Sequence, residues 1–148
     1  MRIAVGADHA GVGLKDALVS WLRARGEVVT DLGTHGNGSV DYPDFAQAVA
    51  REVASGAVDR GILVCGSGIG MAIAANKVPG IRAAVATERE SAFLSRSHND
   101  ANILALGARL TSDDTARELV TVFLETPYEG GRHQRRVDKI HAIEQDPT

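Results

Sequence analysis

The chain predicts an α/β protein, a parallel sheet with helices on both faces. Two observations carry that expectation. Short apolar runs alternate with segments of helical periodicity along the whole length. Polar residues also collect directly beside the ends of those runs, where open α/β sheets hold their ligands. Alternating strands and helices bury both faces of a sheet when each helix crosses back over it and the strands run parallel.

Residues 2–7 form the first strand. The helix over 12–25 follows, with Leu14, Leu18 and Leu22 on one face and Gly26 as its stop. Residues 27–31 are the second strand, and the glycine-rich segment 32–40 is a flexible loop. Asp41 caps a helix over 42–55, whose first turn tolerates Pro43. Residues 60–64 are the third strand, and the helix after the next glycine-rich loop stops before Pro79. Residues 81–86 make the fourth strand, 88–96 a helix and 103–106 the fifth strand. Thr111 or Ser112 caps a helix running to residue 125, and a last helix covers 132–144. Gln145-Asp146-Pro147-Thr148 reads as a frayed tail.

Composition bounds the function. With 148 residues, 44% apolar and 24% charged, the chain is one soluble domain, 1–148, with a sizeable core. A net charge of -3 argues against nucleic acid or an anionic membrane surface as partner. No apolar stretch reaches the length of a membrane span. Met1-Arg2-Ile3 enters the strand pattern directly, so no signal peptide is expected. A single cysteine excludes an internal disulfide and favours a reducing compartment, the cytoplasm.

That cysteine, Cys65, ends the run Gly61-Ile62-Leu63-Val64 and opens the loop Gly66-Ser67-Gly68-Ile69-Gly70, which leads into a helical stretch over 71–77. Strand, glycine-rich turn and helix start in succession aim backbone N–H groups at one spot. A thiol there is a usable base or nucleophile. The plainer alternative is a small hydrophobe at the end of a core strand. Asp8 and His9 follow the first strand, Ser97-His98-Asn99-Asp100 lies between the fourth helix and the fifth strand, and Arg109 follows that strand. Together they are expected to converge with Cys65 on one sheet edge. Singly, Asp8 can equally cap the first helix, and His98-Asn99 can simply end the fourth. On the last helix Arg132 and Arg136 share a face, with His133, Arg135 and Lys139 close by. A guanidinium pair suits a phosphate; a solvated basic face is the alternative. Val137, Ile140 and Ile143 give this helix an apolar face that must dock, on the body or on a neighbouring subunit. No His/Asp/Glu set shows a metal-ligand spacing, so neither metal nor cofactor is expected.

These segments resemble the ribose-5-phosphate isomerase B family, which includes galactose-6-phosphate and allose-6-phosphate isomerases. The resemblance rests on Gly6-Ala7-Asp8-His9-Ala10-Gly11, Asp41-Tyr42-Pro43, Cys65-Gly66-Ser67-Gly68-Ile69-Gly70 and Ala74-Ala75-Asn76-Lys77. It continues through Gly80-Ile81-Arg82-Ala83, Ser97-His98-Asn99-Asp100-Ala101-Asn102, Gly107-Ala108-Arg109 and Tyr128-Glu129-Gly130-Gly131-Arg132-His133. It implies a three-layer α/β/α sandwich with a five-stranded parallel Rossmann-like sheet and a C-terminal interface helix. It further implies a homodimer, often paired into tetramers, with active sites shared between subunits.

Carried over residue by residue, the resemblance makes Cys65 the base that moves a proton between C1 and C2 of the open-chain sugar. The enediolate between would sit against the N–H groups of Gly66, Gly68, Ile69 and Gly70. Ser67 would shuttle a proton between the sugar oxygens, and His98, from the partner subunit, would open the furanose ring. Asp8, Tyr42 and Asn99 would hold sugar hydroxyls, and His9, Arg109, Arg132 and Arg136 the phosphate. Some family members lack the cysteine and use a glutamate just after the glycine loop. Here that position is Met71, so the chain resembles the cysteine subset. Ribose 5-phosphate is the expected substrate. Another aldose phosphate (allose 6-phosphate, galactose 6-phosphate or a tetrose phosphate) and a non-catalytic sugar-phosphate sensor stay open. A cysteine phosphatase would need arginine at position 71, and a dinucleotide fingerprint would need glycine there.

Overall fold

The computed structural model describes residues 1–146. Its elements are β1 (Arg2–Ala7), α1 (Val12–Ala24), β2 (Val28–Asp31), α2 (Tyr42–Ala54), β3 (Arg60–Cys65) and α3 (Ile69–Ala75). β4 (Ala83–Val85), α4 (Arg89–Ser97), β5 (Ile103–Gly107), α5 (Asp113–Glu125) and α6 (Arg132–Glu144) complete it. All five strands pair in parallel, in the order β2-β1-β3-β5-β4.

Alternate residues of each strand feed two cores. Ile3, Val5, Ala7, Ile62, Val64, Leu104 and Leu106 meet Leu14, Leu18 and Leu22 of α1, Ala92 of α4, and Leu119 and Phe123 of α5. Ala4, Leu63, Cys65, Ile103 and Ala105 meet Ala46, Val49 and Val53 of α2, and Met71, Ala72 and Ala75 of α3. The expected three layers follow, α1, α4 and α5 on one face, α2 and α3 on the other.

Several boundaries move for identifiable reasons. α3 begins at Ile69, two residues before the expected helical stretch, because Gly68 already turns the chain at φ 80°. Asp41 is the N-cap residue of α2 but makes no side-chain cap hydrogen bond. Ser112, not Thr111, caps α5 by accepting the Thr115 N–H. β4 is shorter than expected. The Asn102 side chain takes the Arg82 N–H at 2.8 Å and donates to the Gly80 carbonyl at 2.9 Å, so this stretch is held before pairing starts. On the sheet's open edge, the Asn76 amide both accepts from Ala83 N–H (2.8 Å) and donates to its carbonyl (2.9 Å), standing in for a neighbouring strand. In the tail, Gln145 and Asp146 still donate to Ala142 and Ile143 carbonyls rather than fraying; Pro147 and Thr148 lie outside the described residues.

Lys15 pins the crossing from β2 into the 32–40 loop. Its side chain is fully buried, with Nζ 3.0 Å from Asp31 and 2.8 Å from Asp16. Burial opposes the ammonium charge, but the two carboxylates more than offset it and hold Lys15 above its usual value. The other oxygen of Asp31 accepts the Gly33 N–H, which places the loop beside the end of β1.

α6 lies outside the layers. Of its apolar positions Val137 is buried, while Ile140 and Ile143 remain 43% and 72% exposed. Its far end is tied down by Glu144, whose carboxylate accepts the Gly80 N–H at 2.9 Å. That bond holds the Glu144 carboxyl below the usual carboxylate range. No described helix is long and apolar enough to cross a membrane.

Candidate active site

β1 and β3 are neighbours, yet the chain leaves β1 toward β2 on one side and β3 toward the β5 side on the other. Such a reversal opens a crevice beyond the carboxyl ends of the two strands. A cleft of about 550 Å³ occupies that place, lined by Asp8, Tyr42, Cys65, Gly66, Ser67, Ile69, Gly70, Ile73, Arg109 and Leu110. The volume suits a small metabolite.

Cys65 lies at its floor, 5% exposed. The Gly68 N–H donates to its Sγ at 3.1 Å, putting the positive end of a backbone dipole on the sulfur. Position 68 requires glycine twice over: its φ is positive, and a Cβ would stand 2.9 Å from the Leu106 carbonyl carbon. Ser67 Oγ accepts the Ile69 N–H at 3.2 Å. The N–H groups of Gly70 and Met71, in the first turn of α3, have no helical carbonyl to meet.

Asp8 serves two roles. Its Oδ1 accepts from Ala10 N–H at 3.0 Å and Gly11 N–H at 3.1 Å, the local turn that leads into α1. The carboxylate also reaches the cleft. His9 is exposed, and its Nδ1 accepts the Val40 N–H at 3.1 Å, closing the 32–40 loop over the end of β1. Tyr42 opens α2 and lies over the glycine loop; a Cβ on Gly70 would come within 2.6 Å of its ring. Gly70→Ala therefore displaces the Tyr42 ring. If that ring holds substrate, KM should rise about fivefold, the worth of one hydrogen bond, with the melting temperature little changed. An unchanged KM would remove Tyr42 from the binding site.

One expectation needs correction. Ser97, His98, Asn99 and Asp100 precede β5, so they lie at the amino ends of the strands, opposite Cys65. β5 is five residues long, which separates the two ends by roughly 16 Å. Within one chain His98 and Asn99 do not converge with Cys65. Their loop is firmly built: Asp100 adopts φ 50° and pairs with Arg96 at 2.8 Å and Arg82 at 3.4 Å. Arg132 and Arg136 belong to the same end of the sheet, on α6, exposed and without an ion-pair partner among the described residues.

The second correction concerns ligand clustering. His98, Glu129 and His133 bring one ligating atom each within 4.8 Å of one another, a grouping that spacing along the chain did not reveal. The two imidazoles are stacked, 4.2 Å between centroids and 18° between planes. Their in-plane lone pairs therefore run side by side instead of converging on one ion. A further groove of about 430 Å³, between the β4 edge and α6, is lined by Arg82, Asn99, Ile140, Ile143 and Glu144 among others and carries no thiol or hydroxyl side chain.

A parallel sheet that presents a thiol, a hydroxyl, a carboxylate and the Arg109 guanidinium around one cleft at its switch point has the make-up of a Rossmann-like enzyme. The sequence profile of the Ribose/Galactose Isomerase family matches residues 3–140, and the chain belongs to that family. It is 52% identical over 144 residues to ribose-5-phosphate isomerase B of Escherichia coli, covering 97% of each chain. It is 42% identical to a D-erythrulose-4-phosphate isomerase of Pectobacterium atrosepticum, over 95% of this chain and 93% of the relative. Among solved structures, ribose-5-phosphate isomerase B of Clostridium thermocellum superposes with a TM-score of 0.97 at 55% identity, covering 98% of both chains. The Mycoplasma genitalium enzyme with bound ribulose-5-phosphate gives 0.95 at 41% identity, covering 98% of this chain and 97% of that one.

Proposed function

We propose that this protein interconverts ribose 5-phosphate and ribulose 5-phosphate by proton transfer through an enediolate. The observation that carries the reading is the Cys65 thiol at the β1/β3 switch point with a loop N–H directed at its sulfur. Cys65 as thiolate takes the proton from C2 of the open-chain aldose and returns it to C1. The electron pair rests meanwhile on O1 of the enediolate. Ser67 carries the hydroxyl proton between O2 and O1, so nothing is gained or lost overall. The loop N–H groups stabilise the oxyanion, which is where fixed donors have most effect.

Each cleft is half a site. His98 and Asn99, with Arg132 and Arg136, reach a Cys65 cleft only from a second copy. Exposed Ile69, Ile73 and Leu110 rim the cleft and support docking there. The enzyme is a homodimer, alone or paired into a tetramer, and the lone thiol suits the cytoplasm. The similarity to a D-erythrulose-4-phosphate isomerase favours a tetrose phosphate as second substrate.

A continuous assay of ribulose 5-phosphate formation tests the function, and turnover should survive exhaustive chelation. Arg132→Ala should raise KM roughly 10–100-fold, the effect of losing a charged hydrogen bond to phosphate. A wild type inactive on every aldose phosphate would leave a binding protein. Wild-type KM in Arg132→Ala would return that side chain to a solvated face.

A further inference from the structure

We propose that His133 is a positioning residue for His98, holding its ring by stacking so that it meets the furanose oxygen of the substrate. The proposal rests on the isomerase reading above and deepens it. His98 is the C-cap residue of α4. Its backbone N–H is bonded to Leu94, and among the described residues no side-chain hydrogen bond fixes its ring. What the ring does have is the face of His133.

The way His133 is delivered supports the role. The strap between α5 and α6 is tied to the end of α4 by Glu129 N–H donating to the Ser97 carbonyl at 3.0 Å. Gly131 then turns the chain at φ 53° and α6 begins. The first turn of α6 therefore sits against the residue that ends α4, and His133 is the inward position of that turn, 7% exposed. Its Nε2 is buried and makes no hydrogen bond; the nearest charge is a Glu129 carboxylate oxygen at 3.4 Å. A histidine whose Nε2 meets a carboxylate oxygen without hydrogen-bonding geometry, and whose ring lies flat on a neighbouring imidazole, acts on that neighbour through its flat ring. Two stacked rings resist rotation of either about its side-chain bonds, and a reacting group misplaced by about 1 Å can lose on the order of 100-fold in rate.

The same helix carries Arg132 and Arg136. The strap thus sets the phosphate grip and the ring-opening group together, so that one placement of α6 serves both ends of a bound pentose phosphate.

The test uses two sugars. Ribose 5-phosphate is mostly a closed furanose. Erythrose 4-phosphate has its terminal oxygen esterified and cannot close a five-membered ring, so it needs no ring opening. In the full-length protein His133→Ala should lower kcat on ribose 5-phosphate on the order of 10–100-fold, with KM little moved, and should largely spare erythrose 4-phosphate. His133→Phe, which keeps a flat ring, should restore most of the loss and guards against a variant that fails to fold. Equal losses on both sugars would make His133 a purely structural residue. No loss on ribose 5-phosphate, or no rescue by phenylalanine, would also overturn the proposal. A wild type that converts neither sugar would instead defeat the isomerase reading itself.

Discussion

Cys65→Ala should fold, bind sugar phosphate and lose about 10²–10⁴ in kcat, the usual contribution of a positioned acid–base group. Folding should survive because position 65 holds the sheet through its backbone, and alanine keeps a small apolar side chain in the core cluster it joins. Cys65 pairs with Gly107 in the β3–β5 ladder, and its carbonyl accepts the Ala108 N–H at 2.8 Å. Neither bond uses sulfur. What the variant removes is the sulfur that accepts the Gly68 N–H. KM should therefore move far less than kcat. A thiol-directed alkylating agent should inactivate the wild type, with bound substrate protecting it, and the single cysteine makes the modified site unambiguous. Near-normal turnover in Cys65→Ala is the outcome that returns this residue to a small core hydrophobe.

The difference between what was legible in the sequence and what was not follows one physical line. Features made by neighbours in the chain were readable. Cys65, Ser67 and the glycines between and after them are contiguous, so strand, turn and helix start show directly. The strands showed because buried parallel strands are short continuous apolar runs. Strand order was not readable: periodicity says that Ile103 to Leu106 is buried but not that β5 lies between β3 and β4. Nor were contacts between distant residues, such as Asn76 sealing Ala83 at the sheet edge or His133 lying on His98. The misplaced convergence at one sheet edge had a different origin. Segments 97–100 and 107–109 flank the same strand, but in a parallel sheet a residue before a strand and one after it lie at opposite ends. Strand polarity splits the site into two halves from the residues themselves, the division that the family resemblance implies by placing His98 on the partner subunit.

That split yields the last expected result. Cys65→Ala and His98→Ala proteins, each nearly inactive, should regain activity when mixed and allowed to exchange subunits. In a mixed dimer one cleft combines the intact Cys65 of the His98→Ala chain with the intact His98 of the Cys65→Ala chain. The other cleft carries both lesions. Equal amounts with random exchange give about half mixed dimers, so about a quarter of all clefts become competent. Recovery toward a quarter of the wild-type rate is therefore the signature, and it should follow the kinetics of subunit exchange rather than of mixing. The roughly 16 Å between the two ends of β5 is what forces this outcome if both residues act on one sugar. Proven heterodimers without recovery would mean that His98 takes no part in turnover at a partner's Cys65 cleft. The face of α6 bearing Arg132 and Arg136 would then lose its reason to be read as a phosphate grip.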